Sequence, residues 1–242
     1  MSFKWPDNKQ LAVSLTFDDG HVTQIEEGAP ILNRHGIKAT FYPQPHSIPM
    51  RLAGWQQLVS QGHEIGSHTR THPCSGNLEF SMKNMLESFS IQQITQDISD
   101  ANRLIHQLLG VQPILFAYPC GQTFVGRGRN CQSYVPVVAS MFLTGRGCFS
   151  ECGNNPDICD MANLFAMPID GKLIEGVPLQ LNGTTGRWII FVLHRITPDR
   201  KQGVAVSDLE NLCKLIKSRE GDIWIGTVGE VGKYIISQRR AR

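Results

Sequence analysis

Strands alternating with helices along the whole 242-residue chain predict an α/β protein built on parallel strands, either a barrel or an open sheet. Three observations carry this. Short apolar runs are each followed by a segment with helical spacing, and no linker or internal repeat interrupts the order. The residues that could carry chemistry also fall after the expected strands: Asp18 and Asp19, His68 and His72, Tyr118 to Cys120, and His194. In a barrel, those positions share the face on which active sites are built. A single domain over 1–242 accommodates the pattern.

Leu11 to Phe17 is an apolar run closed by Asp-Asp-Gly, the pattern of a buried strand entering a loop. Ile25, Ala29, Ile31 and Leu32 follow on one helical face, which Gly36 ends. Ile37 to Tyr42 is a second strand, stopped by Pro43 and Pro45. Trp55, Leu58 and Val59 mark a short helix, and a strand follows around His63 to Gly66. From Ile91 to Leu108, apolar residues keep helical spacing over nearly five turns. Ile114 to Ala117 is a strand leading into Tyr118-Pro119-Cys120-Gly121. The stretch 122–163 is an irregular Cys/Gly-rich insertion with an apolar segment at Val135 to Leu143, and it reads as a short helix and strand carrying a long loop. Trp188 to Leu193 is a buried strand ending at His194. A helix through Leu209 to Ile216, a strand at Asp222 to Ile225 and a closing helix through Val228 to Ile235 complete the order.

A net charge of +2 creates no field strong enough to recruit nucleic acid or an anionic membrane, and no run reaches the length of a membrane span. The start, Met1 to Asp7, lacks the apolar core of a secretory signal, which favours a cytoplasmic location for the chain as given. A secreted chain trimmed of its leader would read the same. Seven cysteines form no zinc pattern: Cys74, Cys120, Cys131 and Cys213 are scattered, and Cys148, Cys152 and Cys159 lack paired C-x-x-C spacing. With no sign of an oxidising compartment, the balance is against a bridge among the loop cysteines. Asn182-Gly183-Thr184 matches a glycosylation acceptor, which matters only in a secreted protein.

A carboxylate with two imidazoles is the usual ligand set of a catalytic zinc. Asp18 and Asp19 cannot both enter one pocket from an unbroken strand, because successive side chains alternate. Gly20 lets the chain turn so that both can; the alternative is a plain strand-end turn capped by Asp. His68 and His72 stand four apart, so one short helical turn ending at Pro73 aligns both rings; the alternative is a pair of surface histidines in a Ser/Thr-rich loop. No Glu follows His68, so a general base must come from elsewhere, and Asp18 is the candidate. His194 is either a packed strand-end histidine or, beside a metal, a general acid for a leaving amine. His21, His35, His46, His63 and His106 lack partners at useful spacing and read as structural or exposed. Gly126-Arg127-Gly128-Arg129 and Gly145-Arg146-Gly147 read as flexible loop or as substrate contacts. The elbow of serine hydrolases and the glycine-rich nucleotide loops are absent from the sequence.

Four segments occur in a telling order: Thr16-Phe17-Asp18-Asp19-Gly20, Ser67-His68-Thr69-Arg70-Thr71-His72-Pro73, Phe116-Ala117-Tyr118-Pro119-Cys120-Gly121 and Leu193-His194. Over roughly residues 11 to 238 the chain resembles the polysaccharide deacetylases, the NodB-homology group of carbohydrate esterase family four. The resemblance implies a distorted (β/α) barrel, TIM-like, with about seven parallel strands. It implies a divalent metal, most often Zn²⁺ with Co²⁺, Ni²⁺ or Mn²⁺ as alternatives, held by Asp19, His68 and His72. It makes Asp18 the catalytic base and His194 the acid, assigns the Cys120 N–H to the oxyanion, and lines the groove with Phe17, Tyr118, Pro119 and Leu193. The implied reaction removes acetyl groups from N-acetylated (or O-acetylated) carbohydrate. Alternatives are a same-fold hydrolase that opens a cyclic amide or imide, and a barrel that binds glycan without turnover. The chain departs from the family pattern in three ways. Phe116 and Ala117 stand where many members carry an Arg that pairs with the base, and Cys120 replaces an aromatic. Asp222 and Trp224 have the residue types of the family's Asp/Trp motif but follow His194, which reverses its order.

Overall fold

A computed structural model describes residues 3–171, 185–200 and 202–241; the acceptor triplet at 182–184 lies outside the described residues. The strands are β1 (Leu11–Asp19), β2 (Thr40–Pro43), β3 (Glu64–Ile65), β4 (Leu115–Ala117), β5 (Phe124–Val125), β6 (Gln132–Ser133), β7 (Thr144–Arg146), β8 (Met167–Pro168), β9 (Trp188–Leu193), β10 (Arg195–Ile196), β11 (Gly203–Val204) and β12 (Ile223–Ile225). The helices are α1 (Ala29–Arg34), α2 (Leu52–Ser60), α3 (Ile91–Leu109), α4 (Val135–Met141), α5 (Val206–Ser218) and α6 (Val228–Arg240).

Parallel pairing closes a ring. β1 pairs with β2 and with β9, β2 with β3, β4 with β7, and β8 with β9. Two parallel bridges, Ser67 to Phe116 and Arg146 to Leu164, join β3 to β4 and lead β7 to the segment entering β8. Seven strands (β1, β2, β3, β4, β7, β8, β9) therefore form the distorted barrel expected from the sequence. β12 pairs with Leu11 to Val13 at the base of β1, along the edge that β2 occupies higher up.

The two-residue period of β1 explains its burial on both faces. Leu11, Val13, Leu15 and Phe17 pack outward in one apolar cluster with Leu32 of α1, Trp55 of α2 and Leu209 of α5. The alternate residues face inward: Ala12 joins Trp188, Ile190, Val192 and Leu115, and α6 packs Val228, Val231 and Ile235 against them. Ser14 is satisfied inside the barrel by donating to Gly226 O, while accepting from the Trp188 indole N–H. Asp18 is the next inward position after Thr16, so its place in the lumen follows from strand period alone.

α3 starts at a reciprocal Ser90–Gln93 cap and stops at left-handed Gly110. The stretch 122–163 is more ordered than its composition suggested. It carries the β5–β6 hairpin, α4 and one barrel strand, β7. Among the described residues, no helix is long and apolar enough to cross a membrane.

The loop cysteines Cys148, Cys152 and Cys159 are free, as are Cys131 and Cys213. The bridge joins Cys74 to Cys120 across 46 residues, which spacing along the chain does not reveal. It ties the loop after β3 to the loop after β4. Closing a loop of this length contributes ~4 kcal/mol by restricting the unfolded chain. Denaturant titrations with and without a reductant are expected to differ by an amount of that order, and coincident midpoints would contradict it.

Candidate active site

The candidate site side chains chosen from the sequence sit beyond or at the C-terminal ends of barrel strands, where a cavity of about 890 Å³ opens. Asp18 and Asp19 end β1, His68 and His72 follow β3, Tyr118 and Cys120 follow β4, and Arg146 ends β7. Asp170 and His194 follow β8 and β9.

Asp19 would point outward by strand period, but its φ of 71° swings the carboxylate back over the lumen. Gly20, at φ +77°, completes the turn, and a Cβ there would lie 2.2 Å from Ser47 Oγ and 2.8 Å from Pro43 Cβ. Asp19 Oδ1 lies 3.5 Å from His68 Nε2 and 3.3 Å from His72 Nε2. The three donor atoms fall within 4.8 Å of one another, the arrangement of a metal ligand set. His68 Nδ1 donates to Ala117 O at 2.9 Å, which leaves the Nε2 lone pair facing Asp19. His72 Nδ1 lies 3.7 Å from the disulfide sulfur of Cys74, which carries no proton and can only accept. Its Nε2 is therefore also free to ligate. Burial first, and His68 second, push the His72 pKa down to about 4, so the ring is neutral at pH 7. Burial works to raise the Asp19 pKa, but the neighbouring His21 and His68 rings outweigh it and hold the carboxylate ionised.

No helical turn aligns the histidines. Thr69 and His72 are both left-handed, at φ 64° and 51°, and the loop between them hangs on Asp97 of α3. The Asp97 carboxylate accepts from the Arg70 and Thr71 N–H groups at 2.8 and 3.2 Å and from Thr71 Oγ1 at 2.7 Å. Thr69 Oγ1 accepts from the His72 N–H at 3.0 Å. An acid on the apolar face of the longest helix, between Ile94 and Ile98, was the signal for this role.

Two ion pairs flank the ligand set. Asp18 accepts a hydrogen bond from Arg146, and both side chains are buried. The guanidinium also sits over the Tyr42 ring, 4.6 Å from its centroid. Burial tends to raise the Asp18 pKa, but Arg146, with His68 and His194, outweighs it and keeps the carboxyl below its ordinary range. Gly145-Arg146-Gly147 is thus neither flexible loop nor substrate contact: β7 holds Arg146 rigid beneath the cavity. It meets Asp18 from a different strand than the motif in which an arginine was sought.

On the other side, His194 Nδ1 pairs with Asp170 Oδ2, and Asp170 Oδ1 accepts from the His194 N–H at 3.2 Å. Burial tends to lower the His194 pKa, but Asp170 and Asp18 raise it to about 9, so the ring is protonated at neutral pH. Asp170 was missed, although Met167-Pro168-Ile169-Asp170 is an apolar run closed by a carboxylate, as at Asp18. Asp222 and Trp224 lie at the opposite end of the barrel, around β12. Gln24, also unanticipated, donates to Asp18 O at 2.5 Å and to His194 O at 2.7 Å, clamping the ends of β1 and β9 together.

The other sequence-chosen residues divide. Tyr118 and Cys120 line the cavity, with the Tyr118 hydroxyl spent on Ala162 O. Phe17, Pro119 and Leu193 do not: all three are buried, Phe17 and Leu193 in the apolar cluster between strands and helices, and Phe17 stacks on Phe41. Their side chains are turned into protein rather than the groove. His21, read as structural or exposed, instead stands 3.5 Å from Asp19 Oδ2 and borders the cavity.

A family model described as polysaccharide deacetylase matches residues 6–127. A gellan lyase of a Bacillus species is 23% identical over 98% of this chain and 10% of that protein. The peptidoglycan-N-acetylglucosamine deacetylase PgdA of Listeria monocytogenes is 29% identical over 47% of this chain and 22% of its own length. The chain thus spans at most about a third of the first curated relatives it matches. Among solved structures, a Mycobacterium smegmatis protein described as a polysaccharide deacetylase superposes with TM-score 0.73 at 15% identity. That match covers 98% of this chain and 94% of the other.

Proposed function

The chain belongs to the polysaccharide deacetylase family, and we propose that it is a metal-dependent hydrolase releasing acetate from N-acetylated carbohydrate. One observation carries the proposal: two charged pairs in opposite proton states flank a single Asp-His-His ligand set in one cavity. The donor set suits a small divalent cation, because one carboxylate oxygen and two Nε2 lone pairs converge and both Nδ1 positions are already engaged. Held by Asp19, His68 and His72, a cation such as Zn²⁺ would supply Lewis acidity toward a carbonyl and toward water.

The chain's own groups complete the reaction. Asp18 stays ionised beside Arg146 and accepts a proton from the attacking water. The backbone N–H of Cys120, at the cavity wall, is the candidate donor to the oxygen on which negative charge develops. His194, kept protonated by Asp170, gives its proton to the departing amine, so acetate and a free amino sugar leave. An acid held to high pH suits an amide better than an ester, because an amine leaves poorly unless protonated. This favours the N-acetyl over the O-acetyl substrate, and it argues against a barrel that only binds glycan.

Acetate release from N-acetylglucosamine oligomers, measured on metal-stripped protein before and after adding back Zn²⁺ or Co²⁺, tests the proposal. No release with any added metal would refute it. His68→Ala is expected to lose metal affinity by at least tenfold, read as stoichiometry after dialysis; full occupancy in that variant would remove His68 as a ligand. The high-pH limb of turnover is expected near pH 9, where His194 loses its proton, since its pKa is raised and its acid form is the active one. Asp170→Asn should bring that limb down toward the ordinary histidine range of about 6.5. An unmoved limb would assign it to another group.

A further inference from the structure

We infer that reducing the Cys74–Cys120 bridge creates a second, sulfur-based metal site, His72–Cys74–Cys120, which competes with Asp19 and His68 for one imidazole. The inference rests on the reading above only in that His72 belongs to both sets.

Two ligand clusters meet at His72. The donor atoms of His72, Cys74 and Cys120 lie within 4.8 Å of one another, as do those of Asp19, His68 and His72. The carboxylate cluster uses Nε2 of His72, 3.3 Å from Asp19 Oδ1; the sulfur cluster uses Nδ1, 3.7 Å from Cys74 Sγ. A neutral imidazole has one lone pair. While the bridge is closed, its sulfurs bind metal poorly and accept from Nδ1–H, so the lone pair stays on Nε2 and faces Asp19. With the bridge open, two thiolates and Nδ1 form a soft set that Zn²⁺, Co²⁺ or Cd²⁺ prefers over a carboxylate site. Binding there moves the ring proton to Nε2, which takes His72 away from Asp19 and His68.

The chemistry balances with a dithiol reductant. Its thiolate attacks Cys120 Sγ, which borders the cavity, whereas Cys74 is buried. A mixed disulfide forms and Cys74 leaves as thiolate. The reductant's second thiol then closes its own disulfide and frees Cys120, so two electrons and two protons reach the protein. Metal binding afterwards releases the two thiol protons to solvent. The bridge also joins the loop carrying His72 to the loop carrying the Cys120 N–H, so opening it frees both walls of the cavity together.

The test is a Co²⁺ titration of the full chain, oxidised and after anaerobic reduction with a phosphine that is then removed. A cobalt–thiolate charge-transfer band is expected in the reduced protein only, with one cobalt per chain in either state. The band should vanish in Cys74→Ser and, independently, in Cys120→Ser, whose partly exposed position tolerates exchange better. Absence of the band on reduction, its survival in either variant, or two cobalt ions per reduced chain would each overturn the inference. The band reports ligands rather than turnover, so failure here and failure to release acetate are separate results.

Discussion

Arg146→Met is expected to lower stability by about 3–5 kcal/mol and to leave little turnover. Both Arg146 and Asp18 are buried, so removing the guanidinium strands a carboxylate in a place where water does not replace the lost partner. Burial already tends to raise the Asp18 pKa; with Arg146 gone that tendency is opposed only by the histidines. The low-pH limb of activity should therefore move upward, because a protonated Asp18 accepts nothing from water. Lysine at the same position keeps the charge but loses the planar contact with Tyr42, so Arg146→Lys should fall between. Denaturant unfolding and a pH–rate profile check this. A methionine variant as stable as the parent, with an unshifted acid limb, would mean that Arg146 does not govern Asp18.

The barrel was legible in the sequence because its signals are local. Ile114 to Ala117 and Trp188 to Leu193 are apolar without interruption, and Leu11 to Phe17 is apolar but for Ser14 and Thr16, as suits strands buried on both faces; a turn residue or polar group closes each. Asp18, Asp19 and His194 stand out for the same reason, each closing such a run, and His68 and His72 stand out as a pair four residues apart. The partners of these residues were not legible, because partnership depends on ring closure. Arg146 reaches Asp18 across 128 residues, and only the pairing of β4 with β7 and the bridge from Ser67 to β4 bring those strands round to face β1. Asp170 closes an apolar run that holds a strand of only two residues, a weaker form of the signal at Asp18. His68 and His72 show a different failure. Spacing by four suggested a helical turn, yet Thr69 and His72 adopt left-handed backbone that the Asp97 carboxylate supports from another element. Local periodicity therefore identifies strands and the groups at their ends. The charge environment of those groups belongs to the closed barrel.

Asp18→Asn isolates proton transfer from metal binding. Asparagine keeps the shape, and its carbonyl oxygen can still accept from Arg146, so the fold is disturbed less than by Arg146→Met. What it loses is the basic carboxylate, and loss of a positioned general base costs about 10²–10⁴-fold in turnover. Asp19, His68 and His72 are untouched, so metal content after dialysis should match the parent; a His68→Ala variant should lose both metal and activity. The double variant Asp18→Leu with Arg146→Met separates stability from catalysis further. Removing both charges together relieves the unpaired-charge penalty of either single change, so its stability should recover to near that of the parent while turnover stays lost. Acetate release, metal analysis and unfolding on the same preparations decide the matter. Near-parental turnover in Asp18→Asn with metal bound would take the base role away from Asp18 and give the proton to another acceptor on the cavity wall.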